Sequence, residues 1–153
     1  MKLGWAAFGI MLALHVFSPR QVIAQGATPV TPKREQASGT LGQNFPNPFN
    51  PETRIPFVVG DAPACSDPVR QHRVTLRIYN LLAQLVAVPV LQGGSGGVAG
   101  GAEIENLGLT CAQYTAYWDG KDRRTGNEVA SGIYLYRLEV DGRAVVRKMI
   151  VTK

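Results

Sequence analysis

Residues 132–152 read GIYLYRLEVDGRAVVRKMIVT, and this stretch decides the fold. Tyr134, Tyr136, Leu138 and Val140 fall on one side of an extended chain, at the two-residue period of a half-buried strand. A second run, AVVRKMIVT (144–152), follows the segment VDGRA. The Asp-Gly pair at the centre of that segment tolerates the positive φ angles of a tight hairpin turn, so the two runs are expected to pair antiparallel. One face of that hairpin is apolar and needs a second layer to cover it.

Moving N-terminally, the same pattern recurs. QYTAYWDG (113–120) puts Tyr114, Ala116 and Trp118 on one face, which supplies the facing half of the core. RVTLRIYN (73–80) alternates Val74, Leu76 and Ile78 against Arg73, Thr75, Arg77 and Tyr79. TRIPFVV (53–59) and QLVAVPVLQ (84–92) read as strands, Pro89 suiting an edge or a bulge, and AEIENLGL (102–109) as a short one. GDAPACSDP (60–68) and GGSGGVAGG (93–101) are loops by composition. No window carries a capped helical stripe. About seven short strands with regular turns predict an all-β, immunoglobulin-like antiparallel β-sandwich over residues 43–153.

The N-terminal end reads differently. MKLGWAAFGIMLALHVF has a basic residue, Lys2, then an apolar run, then SPRQ and the small-residue site VIA. That is the pattern of a signal peptide over 1–24, cleaved after Ala24 to leave Gln25. The apolar run is shorter than the roughly 20 residues a membrane span needs, and no cysteine follows the site to take a lipid anchor. Residues 25–42 form a solvated linker, since QGATPVTPKREQASGT lacks apolar periodicity. Loss of Lys2 and Arg20 leaves 14 basic against 11 acidic side chains, a net of +3. Such a charge, scattered among acidic and apolar neighbours, does not make a nucleic-acid footprint.

Cys65 and Cys111 both lie in the exported part, where two thiols in one small domain are expected to form a disulfide. A zinc site needs about four ligands, and His72 is the only histidine after residue 24. Its neighbours are charged, and neither oxidised cysteine serves as a nucleophile, so no catalytic site is expected. Asp119 and Asp122 read as turn formers rather than paired catalytic carboxylates. Asp119, Asp122, Asn127 and Glu128 have the oxygen chemistry of calcium ligands but not the spacing, so neither a metal nor a cofactor is expected.

QNFPNPFNP (43–51) precedes the first strand. The residues before its prolines, Phe45, Asn47 and Asn50, are pushed toward extended geometry, and Pro46, Pro48 and Pro51 lack amide donors. The segment is expected to be a semi-rigid strut, with Phe45 and Phe49 pinning it to the end of the sandwich.

The order LGQNFPNPFNPETRIPF, VTLRIYNLLAQLV, YWDGKDRRTGNEVASGIYLYRLEV and terminal VRKMIVTK resembles the C-terminal sorting domain (type A) of proteins exported by the bacterial type IX secretion system. That domain is in turn similar to the immunoglobulin-like domain of the flagellar hook-capping protein. The resemblance covers residues 41–153. It implies a non-enzymatic module that travels through the periplasm to the cell surface or the medium. Its partners would be the outer-membrane translocon, a surface sortase and, through the sortase, lipopolysaccharide. The recognition strand would carry Arg147, Lys148, Met149, Ile150, Val151 and Lys153, with the apolar residues completing a sheet and the cations facing outward. The Cys65 loop and the Gly-rich 93–101 segment read as additions to the family's compact form, and the stretch between signal and domain is too short to fold as a cargo. A structural or adhesive domain that binds a protein partner through a sheet edge, in the hook-capping manner, is the alternative.

Overall fold

The computed structural model describes residues 38–93 and 100–153. The expected signal peptide, its cleavage site at Ala24 and Gln25, the linker up to residue 37 and positions 94–99 of the expected Gly-rich loop lie outside the described residues. The described chain is all β, with nine strands: β1 (Gly39–Leu41), β2 (Thr53–Val59), β3 (Gln71–Tyr79), β4 (Leu85–Ala87), β5 (Val90–Leu91), β6 (Leu107–Thr110), β7 (Ala112–Trp118), β8 (Gly132–Val140) and β9 (Arg143–Val151). One sheet runs β1-β2-β7-β5. The other runs β4-β3-β8-β9, with β6 alongside β3, and all the strand pairs are antiparallel.

The expected all-β antiparallel sandwich is thus the observed one, and its core follows from alternation. Ile55, Phe57, Val59, Tyr114, Ala116 and Trp118 face Val74, Leu76, Ile78, Tyr136, Leu138 and Val140, all buried. Phe57 stacks on Tyr114 at 5.6 Å, and Trp118 meets Tyr134 edge-on at 5.9 Å. The Asp-Gly hairpin closes as expected, with Asp141 and Gly142 at φ 50° and 81°.

Three strand assignments need correction. Of the run 102–109, only the residues from Leu107 on form a strand, β6, because Asn106 takes a positive φ of 53° in the bend before it. Gly39–Leu41, placed in the linker by its composition, pairs with Phe57 to Val59, so the domain starts before residue 43. Leu41 is buried, and this single apolar side chain is too short a signal for periodicity to find. The run 84–92 is not one strand but two, in different sheets: β4 pairs with β3, and β5 with β7. Pro89 explains the break, because it lacks the N–H that a continuing ladder requires. The chain crosses between sheets again at Cys111, between β6 and β7. There it is bonded to Cys65, the two Cα atoms 5.5 Å apart, so the expected disulfide is present.

Candidate functional site

Three motifs distant in sequence meet at one corner of the sandwich. The first is the proline segment. Its backbone bridges to sheet one at Phe45, which exchanges both hydrogen bonds with Arg54 at 2.8 Å. Four residues later it bridges to sheet two, where Phe49 N–H donates to Ile150 O at 3.1 Å and Thr152 N–H donates to Phe49 O at 3.0 Å. The segment is therefore a strap across the open side of the sandwich rather than a straight strut, with bends at 46–48 and 50–51. Asparagine side chains hold it in that shape. Asn44 Nδ2 donates to Pro46 O and to Thr53 Oγ1, each at 3.0 Å, and Asn47 Oδ1 accepts from Ile150 N–H at 3.0 Å. These bonds outcompete the extended geometry that proline alone favours.

The two phenylalanines part company. Phe49 is 1 % exposed and packs edge-on against Trp118 at 5.4 Å, whereas Phe45 is 71 % exposed and pins nothing with its ring. Pairing explains the difference: residue 45 continues the outer ladder beside β2, while residue 49 reaches β9 at the mouth of the core.

The second motif is WDG. Trp118 is buried and its Nε1 donates to Lys121 O at 3.0 Å, closing the turn. A Cβ on Gly120 would lie 2.0 Å from the Pro51 carbonyl oxygen, at φ +75°, so glycine there lets the strap pass directly over the turn. The carboxylates beyond serve the same turn: Asp119 accepts from Lys121 N–H, Asp122 accepts from Arg124 N–H at 2.8 Å, and Glu128 lies 3.5 Å from Lys153 Nζ.

The third motif is the terminal strand. Met149 and Val151 point into the core, and Lys148, Ile150 and Lys153 are exposed. Ile150 was expected to complete the sheet; at 38 % exposure it faces out instead, beside Ile133 in the ladder. Strand alternation requires this, because Met149 and Val151 occupy the two inward places around it. Arg147 is exposed although it stands opposite the buried Tyr136. The outer edge of β9 is shared: the strap takes the backbone of Ile150 and Thr152, while no strand among the described residues pairs with the outer edge at 144–146.

Tyr136 ties these parts to the core. Its hydroxyl donates to Gly42 O at 2.8 Å and accepts from Asn44 N–H at 3.1 Å. Burial pushes its phenol pKa up, which keeps the proton on the donating oxygen. The polar partners of Asn44, Thr53 and Tyr136 are not legible in the sequence, because alternation marks a residue as inward-facing without saying what its polar end reaches. Nor does the sequence announce the pair at the opposite end, where His72 Nδ1 lies 2.7 Å from Asp141 Oδ2 and Arg73 N–H donates to Asp141 Oδ1 at 2.9 Å. His72 reads as a charged strand end but is buried.

No protein-family model, curated protein or solved structure matches the chain at a significant level.

Proposed function

We propose that this chain is a non-enzymatic sorting module, exported through the inner membrane by its signal peptide and across the outer membrane by the type IX secretion system, and that the terminal strand with its strap is what the translocon reads. The supporting observation is that the residues carrying the resemblance occupy one corner: FPNPFNP, WDG and VRKMIVTK touch one another through Phe49, Trp118, Gly120 and Ile150. A recognition strand must be presented in one conformation, and this one is locked on its inner face by Met149 and Val151 and along its edge by the strap. Its outward face then offers Val146, Lys148 and Ile150, apolar and cationic side chains in alternation. A surface sortase and attachment to lipopolysaccharide would follow by the resemblance. No helix of the described residues is long and apolar enough to cross a membrane.

The test is location. A signal-bearing reporter fused to residues 34–153, the compact unit that holds every described strand, is expressed in a host with an intact type IX translocon and in one lacking it. Surface delivery in the first host and periplasmic retention in the second is expected. Equal distribution in both hosts would overturn the reading.

The second reading is a structural or adhesive immunoglobulin-like domain. The outer edge at 144–146, which no strand among the described residues pairs, favours it, since an extended partner segment could add there as a further strand. A partner that protects the amides of Ala144 and Val146 from hydrogen exchange, in a host without the translocon, would favour this alternative.

A further inference from the structure

The hairpin between β3 and β4 places two leucines at a convex apex and holds them there. Asn80 O accepts from Ala83 N–H at 3.0 Å, and Asn80 Oδ1 accepts from both Leu82 N–H and Gln84 N–H at 3.0 Å. Asn80 Nδ2 donates to Gln84 Oε1 at 2.8 Å, and Ala83 takes the positive φ of 59° that completes the turn. With the backbone fixed, Leu81 and Leu82 occupy the two central turn positions and stand 66 % and 78 % exposed, with Leu85 partly exposed behind them. The arrangement leaves both leucine side chains in water on a hydrogen-bonded turn.

Two arginines flank this apex. Arg123 N–H donates to Val86 O at 2.8 Å, which brings the 121–124 turn alongside the hairpin, and Asn80, Gln84, Leu85, Val86, Asp122 and Arg124 line one small cleft. Both Arg123 and Arg124 are exposed, and neither is ion-paired among the described residues. The nearby carboxylate of Asp122 is turned into its own loop, toward the N–H groups of Arg124 and Thr125. The tip is therefore apolar at its point and positive at its shoulder.

We infer that the 80–85 hairpin tip is an interfacial anchor, with Leu81 and Leu82 entering the acyl boundary of an anionic bilayer while Arg123 and Arg124 contact its phosphates. Shape and charge select this occupant. A stable protein interface buries roughly 800 Å² on each side, which two side chains on a convex turn do not supply. A bilayer accepts a narrow apolar projection, and its anionic headgroups complement two exposed arginines on the adjoining turn. This function is separate from export: it gives the domain an affinity for a membrane surface whether or not a translocon reads β9.

The test is co-sedimentation of residues 34–153 with vesicles of phosphatidylcholine containing about 30 % phosphatidylglycerol, against pure phosphatidylcholine. Binding to the anionic vesicles is expected, falling about 30-fold or more in L81D/L82D and roughly 20-fold in R123Q/R124Q, and weakening in about 0.5 M salt. All four side chains are exposed, so both variants should keep the wild-type melting temperature, which is measured alongside. Absence of binding by the wild-type domain, or undiminished binding by folded L81D/L82D, overturns the inference. So does a concentration-dependent dimer in sedimentation velocity that L81D/L82D abolishes while vesicle binding is absent, since the occupant would then be a second copy.

Discussion

Phe49 and Phe45 are the same residue type, four positions apart in one motif, and their truncation should have opposite consequences. Phe49 is 1 % exposed and lies edge-on to Trp118 at 5.4 Å. A buried Phe→Ala change costs about 3 to 5 kcal/mol, transfer and cavity terms together. The site is at the mouth of the core, where the strap can settle or water can enter, so the lower figure, about 3 kcal/mol, applies. The backbone bonds of residue 49 to Ile150 and Thr152 do not involve the side chain and survive. Phe45 is 71 % exposed, so less than a third of its surface is covered. Full burial of such a side chain stabilises by roughly 1.5 to 3 kcal/mol, which leaves under about 1 kcal/mol for Phe45→Ala. Urea unfolding of residues 34–153 measures both, because Trp118 is the only tryptophan in that unit and Phe49 touches it. With a slope of about 1.2 kcal/mol per molar urea, Phe49→Ala should lower the midpoint by about 2 to 3 M and Phe45→Ala by under about 1 M. Equal shifts, or a Phe49→Ala shift under about 0.5 M, would refute the claim that the strap is anchored by one ring rather than two.

Gly120→Ala should destabilise by more than about 2 kcal/mol in the same assay, because its Cβ would meet the Pro51 carbonyl at 2.0 Å in a backbone conformation already unfavourable to alanine. Ala83→Gly should do the reverse, raising stability by roughly 0.5 kcal/mol, since relief at φ 59° slightly outweighs the added freedom of the unfolded chain. Burial opposes ionisation of Asp141, but the hydrogen bonds from His72 and Arg73 and the positive charge around it hold the carboxyl below its usual value of 3.8. Its folded pKa being depressed, the stability it contributes is complete above about pH 5 and is lost as pH falls through 3.8 and below. Asp141→Asn keeps a residue that tolerates positive φ, and its stability profile should therefore be flatter than the wild type's below pH 4 by acid titration of the melting temperature.

Much of the sandwich was legible because its strands are regular. The alternation of Tyr134, Tyr136, Leu138 and Val140, and of Tyr114, Ala116 and Trp118, named inward residues that the structure buries. Asp141-Gly142 named its own turn for a local reason, the tolerance of both residues for positive φ. What stayed illegible was nonlocal. That residue 49 would reach β9 while residue 45 stayed beside β2 depends on where sheet two stops relative to sheet one, a distance no local pattern encodes. The three-residue β1 carries too few positions to show a period, and the split at Pro89 could be read as a weak point but not as a change of sheet. Family-like motifs were visible separately at 43–51, 118–120 and 146–153; that Phe49 and Gly120 bring them into one corner needed the fold.

If the outward face of β9 is the proposed recognition surface, altering that face alone should stop export. Deleting the last residues would test it poorly, because Met149 and Val151 belong to the core and Ile150 and Thr152 hold the strap. The direct measurement replaces only exposed side chains: the signal-bearing reporter fused to residues 34–153 carries V146D, K148E and I150D together, in a host with the type IX translocon, and surface-exposed reporter is quantified against the unaltered fusion. The purified variant domain should still unfold cooperatively while its reporter stays in the periplasm. Surface delivery equal to that of the unaltered fusion, from a domain shown to be folded, would contradict it.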